Sequence, residues 1–153
     1  MIPSYIITTL QHVDKLALHT SHLKDAEISI FTLNEFCIAI KDKTSLQKEN
    51  IFVEYENGYL GLLGKIFNKE ALHNLLQSLE PTPLVLENDS HMFILLYKHF
   101  GSTALNYIDG CFSILYFKND GSIDIFSSPM VTYPLYYYNI EDSFWSFINR
   151  EGF

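Results

Sequence analysis

Cys111-Phe112-Ser113-Ile114-Leu115-Tyr116-Phe117 is apolar on both of its alternating faces. Successive side chains of a strand point to opposite sides, so a strand with one wet face reads apolar, polar, apolar. A run with no polar face must be covered on both sides, which predicts an interior strand between two packing layers. Downstream, Asn119-Asp120-Gly121 is a hairpin signal leading into a second strand, Ser122 to Ser127. Two further strand-like runs follow, Leu135 to Asn139 and Phe144 to Ile148.

Upstream of the interior strand the hydrophobic period is helical. After Asn68, a good helix N-cap, Ala71, Leu72, Leu75, Leu76 and Leu79 recur on one face until Pro81 stops the run. A second helix is predicted from Asp89 or Ser90, with Phe93, Leu96, Tyr97 and Phe100 as its stripe and Gly101 at its end. A short helical turn from Ser102 to Ile108 completes this central section. Before it the chain reads as β: Tyr5 to Leu10, Ile28 to Leu33, Phe36 to Ile40, Ile51 to Tyr55 and Tyr59 to Gly64, with Asn57-Gly58 as the turn between the last two. Strands, then helices, then strands, with a sheet that needs cover on both faces, predict an α+β layered fold and argue against a parallel βαβ repeat.

No linker, repeat or low-complexity tract divides the 153 residues, and one domain, 1–153, is expected. With 48% hydrophobic and 18% charged residues the chain has the profile of a packed globular protein and not of a disordered one. Its formal charge of −8 and singly scattered basic residues offer no stripe for a phosphate backbone, so nucleic acid is not an expected partner. No window approaches a membrane span, and Met1-Ile2-Pro3-Ser4 has no basic region ahead of an apolar run, so a cytoplasmic protein with no membrane partner is expected. Cys37 and Cys111 both lie in strand-like runs, where a thiol acts as a small buried hydrophobe, and no disulfide is expected. His12, His19 and His22 lack a neighbouring carboxylate or thiol cluster, so no metal site is assigned. Tyr133, Tyr136, Tyr137 and Tyr138 are read as strand core in preference to a ligand site.

Three segments, in order, resemble consecutive motifs of class II glutamine amidotransferases of the asparagine synthetase family. Leu63-Gly64-Lys65-Ile66-Phe67-Asn68 is similar to that family's Asn-Gly-Glu-Ile-Tyr-Asn strand end. Asn88-Asp89-Ser90-His91 resembles its Ser-Asp-x-Glu turn. Ile108-Asp109-Gly110-Cys111-Phe112-Ser113-Ile114, followed by Pro134-Leu135-Tyr136-Tyr137, resembles its Leu-Asp-Gly-Met-Phe-Ala-Phe strand and its Pro-Leu-Tyr-Tyr hairpin. Each motif is weak alone, and together they span about half the chain. The resemblance implies the N-terminal-nucleophile (Ntn) hydrolase fold, a four-layer α/β/β/α sandwich of two antiparallel sheets.

The same resemblance implies that glutamine hydrolysis is lost. The family's nucleophile is an amino-terminal cysteine whose own amine is the base; here the second and third residues are Ile2 and Pro3. Its carboxylate grip is an arginine, and the only arginine here is Arg150. Its oxyanion-hole asparagine falls on Leu63, which has no donor. Ser127-Ser128 stands for its Arg-Asp. Gly64 and Asp89 remain as a vestigial substrate pocket, although a helix-capping role for Asp89 is preferred. Expected is therefore a catalytically inactive glutaminase-like module with no cofactor, serving an ATP-pyrophosphatase domain of a synthetase or cyclase in cis or in trans. In that role β-lactam synthetases and lasso-peptide cyclases are relatives of the same kind. A second copy of the chain is the other expected partner, through an apolar patch that includes Phe144-Trp145-Ser146-Phe147. The competing readings are a residual amidohydrolase using Ser4 or Cys111 and an amino-acid-binding protein using the vestigial pocket.

Overall fold

The computed structural model describes residues 4–9, 27–42, 51–129, 135–140 and 143–148, with side chains for 5–9, 28–41 and 51–129. The doubly apolar run is the core of a nine-residue strand, Gly110–Lys118, and its two faces meet different layers. Phe112 and Ile114 are buried beneath helices, while Leu115 and Phe117 are buried against a second sheet. Alternation along one strand thus assigns the layers of the molecule.

In chain order the strands are β1 (Ser4–Thr9), β2 (Glu27–Leu33), β3 (Phe36–Asp42), β4 (Phe52–Tyr55) and β5 (Gly58–Ile66). Helices α1 (Lys69–Leu79) and α2 (Asp89–Phe100) and a 3-10 turn (Gly101–Tyr107) follow. The remaining strands are β6 (Gly110–Lys118), β7 (Ile123–Ser127), β8 (Leu135–Ile140) and β9 (Ser143–Ile148). They form a five-stranded sheet in the order β2-β3-β1-β9-β8 and a four-stranded sheet in the order β4-β5-β6-β7. Every pairing described is antiparallel, so the fold is α+β, with helices laid on antiparallel sheet.

Between the sheets, Tyr5, Ile7, Phe36, Ile38 and Ile40 of the five-stranded sheet interdigitate with Phe52, Leu63, Leu115 and Phe117 of the other. Phe117 lies 5.4 Å from the ring of Phe36 and 5.9 Å from that of Phe52, tilted and edge-on, the arrangements aromatic quadrupoles favour. On the far side of the four-stranded sheet, Leu72 and Leu76 of α1 and Met92, Phe93, Ile94 and Leu96 of α2 close over Leu60, Leu62, Ile66, Phe112 and Ile114. Helix α2 ends at Gly101, whose φ of 58° and ψ of −140° lie in a region that glycine adopts without strain and other residues rarely enter.

Two turns differ from the sequence reading. The β4–β5 turn is Glu56-Asn57 and not Asn57-Gly58, because Gly58 pairs with Tyr55 and opens β5. A Cβ on Gly58 would overlap the carbonyl of Phe117, so this glycine serves a close strand approach. Asn68 does precede α1, but its side chain does not cap the helix. The side chains of Tyr136, Tyr137, Tyr138 and Phe144 to Phe147 lie outside the described residues, as do Tyr133, Arg150, His12, His19 and His22. Among the described residues the exposed large apolar side chains are Ile30, Phe67, Leu79, Val85 and Tyr107.

Ile6, Cys37 and Ala39 point to the other face of the five-stranded sheet and are also buried. Burial pushes the Cys37 thiol above its ordinary value of 9.0. A thiol that holds its proton more tightly when folded stabilises the fold fully below the unfolded value, and that contribution is lost as pH rises through the folded one. The phenols of Tyr55, which is buried, and Tyr116, which is half-buried, are raised above 10.0 by desolvation and act in the same direction at higher pH. The urea midpoint should accordingly fall as pH rises above 9.0, and Cys37→Ala should make the first part of that fall shallower.

Candidate functional site

The segments that carry the sequence motifs converge around the end of β5, and polar side chains hold them there. Asn68 follows β5 and joins it to the loop before β6: its Nδ2 donates to Tyr107 O at 2.8 Å, and its Oδ1 accepts the backbone N–H of Asp109 at 3.0 Å. The backbone N–H of Phe67 donates to Asp109 O at 2.7 Å. The side chain is committed to that loop, which is why it is not available to cap α1.

Asp89 is not the cap of α2. Asn88 is, with its Oδ1 accepting from the backbone N–H of His91 at 2.8 Å. Asp89 occupies the first helical turn, where a carboxylate is favoured by the helix dipole, and it pairs with Lys69 Nζ at 2.7 Å. The imidazole Nδ1 of His91 is buried with no hydrogen-bond partner in the structure.

The residue between them, Ser90, has the tightest connection. Its side-chain oxygen accepts from Leu62 N at 2.8 Å and donates to Ile51 O. The β4–β5 pairing stops at Phe52 opposite Gly61, so the hydroxyl stands in for the next rung of the ladder. Ser90 is 1% exposed, and the two backbone groups it satisfies lie just beyond the last pair of the β4–β5 ladder. This pins the start of α2 beside β5, two residues before Gly64.

Gly64 lies opposite Phe112 on β6 with φ of 124°, where an added Cβ would overlap Cys111 O and come within 2.8 Å of Phe112 Cα. Only glycine fits this backbone without strain. Leu63, its neighbour, is 2% exposed and points into the layer between the sheets. Next to it across the ladder, Ser113 faces the same layer with its hydroxyl buried and without a partner. Cys111 is partly buried two residues earlier on that face. Ser128, at the second position of the Ser127-Ser128 pair, donates from Oγ to Gly110 O at 2.6 Å and from its backbone N–H to Phe112 O at 3.0 Å.

The structure therefore places Gly64 in β5 and Asp89 at the start of α2, next to the Ser90 that bonds to Leu62, with the carboxylate of Asp89 turned to Lys69. Cys37, on the outer face of the other sheet, is remote from this cluster. Ser90 and Ser128 fall within the quoted motifs, but the sequence assigns neither a bonding role. A serine gives no signal of its own when its partners are backbone groups far along the chain. Two open cavities, of about 670 and 300 Å³, lie toward the β4–β5 turn, and neither Gly64 nor Asp89 lines them. Among the described residues no three His, Cys, Asp or Glu side chains converge on one cation position. No protein-family model matches this chain, and no curated protein matches it.

Replacement of Ser90 by alanine leaves a buried N–H and a buried carbonyl unpaired and should cost about 2 to 4 kcal/mol in denaturant unfolding. Lys69→Ala, which breaks a pair whose lysine is half exposed, should cost less than about 1 kcal/mol. Equal losses for the two variants would contradict the bridging role of Ser90.

Proposed function

We propose that this chain is a catalytically inactive glutaminase-like domain that serves as a structural or interaction module for an asparagine-synthetase-like, ATP-dependent amide-forming enzyme. The observation that carries the reading is the contrast between Leu63 and its surroundings. At the position where the resemblance would put the oxyanion donor, an apolar side chain fills the layer between the sheets. Around it, Gly64, Asn68, Asp109 and Gly110 take part in the close ladder and the hydrogen bonds that join the motifs. A scaffold kept together while its donor is replaced is what an unused active site on a working framework looks like.

On this reading the fold is the four-layer Ntn-hydrolase type. Stacked antiparallel sheets with α1 and α2 on one outer face support it, as does burial of Ile6, Cys37 and Ala39 on the other outer face. The partner is an ATP-pyrophosphatase domain, in cis or in trans, in the cytoplasm, and the module needs no cofactor of its own. Gly64 and Asp89 are the remains of the substrate pocket, with Asp89 now held by Lys69.

Incubation of the purified chain with glutamine should release no ammonia above a buffer blank, because nucleophile, base and oxyanion donor act as a unit and their joint loss is not partly compensated. Release that disappears on Cys111→Ala would overturn the proposal in favour of a residual amidohydrolase.

A further inference from the structure

We propose that the larger cavity, at the hairpin end of the four-stranded sheet, binds an organic ammonium ion. The proposal uses none of the residues on which the glutaminase-like reading rests, so the two stand or fall separately.

The site is built by turns that are fixed to one another. The backbone N–H of Asn119 donates to Asn57 O at 2.8 Å, which ties the β6–β7 turn to the β4–β5 turn. The side chain of Asn34, from the other sheet, donates to Phe117 O at 3.3 Å. Beside these ties opens a cavity of about 670 Å³, within the range of small-ligand sites. Its aromatic lining is Tyr55, Tyr97 and Tyr116, contributed by β4, α2 and β6. The ring of Tyr55 stands 6.5 Å from that of Tyr97 at 90° and 5.8 Å from that of Tyr116 at 56°. The rings are mutually inclined and not stacked flat, so their faces are directed differently around the opening.

The polar lining has three carboxylates, Glu56, Asp120 and Asp124, against one ammonium, Lys118. Asp120 accepts from the backbone N–H and hydroxyl of Ser122 at 2.9 and 2.6 Å, and these bonds hold it ionised below the usual carboxylate range. Glu56 sits in the turn at a φ of 49°, and among the described residues no cation lies within ion-pair distance of it. Burial first, then a hydrogen bond to the Glu56 carboxylate and its charge, raise the Tyr55 phenol, and burial followed by the Glu56 charge raises that of Tyr116.

Aromatic faces attract cations through their quadrupole, and carboxylates on the rim add attraction and exclude anions. Lys118 already uses this combination: its Nζ lies 5.7 Å from the centre of the Tyr116 ring and 2.7 Å from Asp124. A ring-lined wall suits a cation with alkyl surface better than a bare metal ion, which would need several converging oxygens. An exogenous ammonium ion would sit between the tyrosines and Glu56 and compete with Lys118 for Tyr116.

Choline is a suitable probe, with its uncharged analogue, in which carbon replaces the quaternary nitrogen, as control. In isothermal titration choline should bind saturably and the analogue at least about fivefold more weakly. Glu56→Gln, at an exposed turn, should weaken choline about three- to tenfold with an unchanged circular dichroism spectrum. Lys118→Met removes the internal competitor and should tighten choline binding, whereas a site for anions would lose its main donor. No saturable heat with choline, equal affinity for the analogue, or weaker choline binding by Lys118→Met would overturn the proposal.

Discussion

Strand β6 has no face to give to water, and the layers follow from that constraint. Leu115 and Phe117 require a second sheet on one side, Phe112 and Ile114 require helices on the other, and β5 and β7 hydrogen-bond along its two edges. Removing any of these layers would expose apolar area on a strand whose nine residues carry one charge, Lys118, at the end. The β5–β6 ladder is also where the backbones come closest. Gly58, Gly64 and Gly110 each face a neighbouring backbone that an added Cβ would overlap.

The apolar layers do not by themselves fix where the helices start or where the connecting loops lie. Ser90 threads the beginning of α2 into the β4–β5 ladder, Asn68 ties the end of β5 to the loop before β6, and Ser128 holds the chain after β7 to Gly110 and Phe112. Each is one polar side chain, and each satisfies backbone groups that regular pairing would leave without partners. On the proposed reading this explains how a glutaminase-like framework persists without glutaminase chemistry. The hydrogen bonds that hold the framework belong to residues other than those that would contact substrate. Replacing an oxyanion donor by Leu63 adds apolar contact to the layer between the sheets and leaves the staples intact.

Hydrophobic period carried most of the fold. The doubly apolar run located β6, and the apolar stripe from Ala71 to Leu79 located α1, because burial on one face leaves a repeat that can be counted, although of that stripe Leu72 and Leu76 are buried while Ala71 and Leu79 are exposed. Local polar chemistry was less legible. Asn57-Gly58 reads as a turn, yet Gly58 is needed in the strand for close approach to Phe117. Asp89 reads as a cap, yet Asn88 one residue earlier takes that role and leaves Asp89 to Lys69. Asn68 reads as a cap and is instead drawn to Tyr107 and Asp109, some forty residues on. The three tyrosines of the hairpin-end cavity, Tyr55, Tyr97 and Tyr116, lie far apart in sequence, and only the fold assembles them.

Amide hydrogen exchange, resolved by residue, tests the central constraint directly. If β6 is covered on both faces and bonded on both edges, the amides of Ile114 to Phe117 should exchange only through global unfolding, at the slowest rates in the chain. The amide of Leu62, bonded to Ser90 and not to a strand, should share that protection. Exchange of the β6 amides as fast as those of the exposed loop around Val85 would contradict the layered arrangement on which every other inference rests.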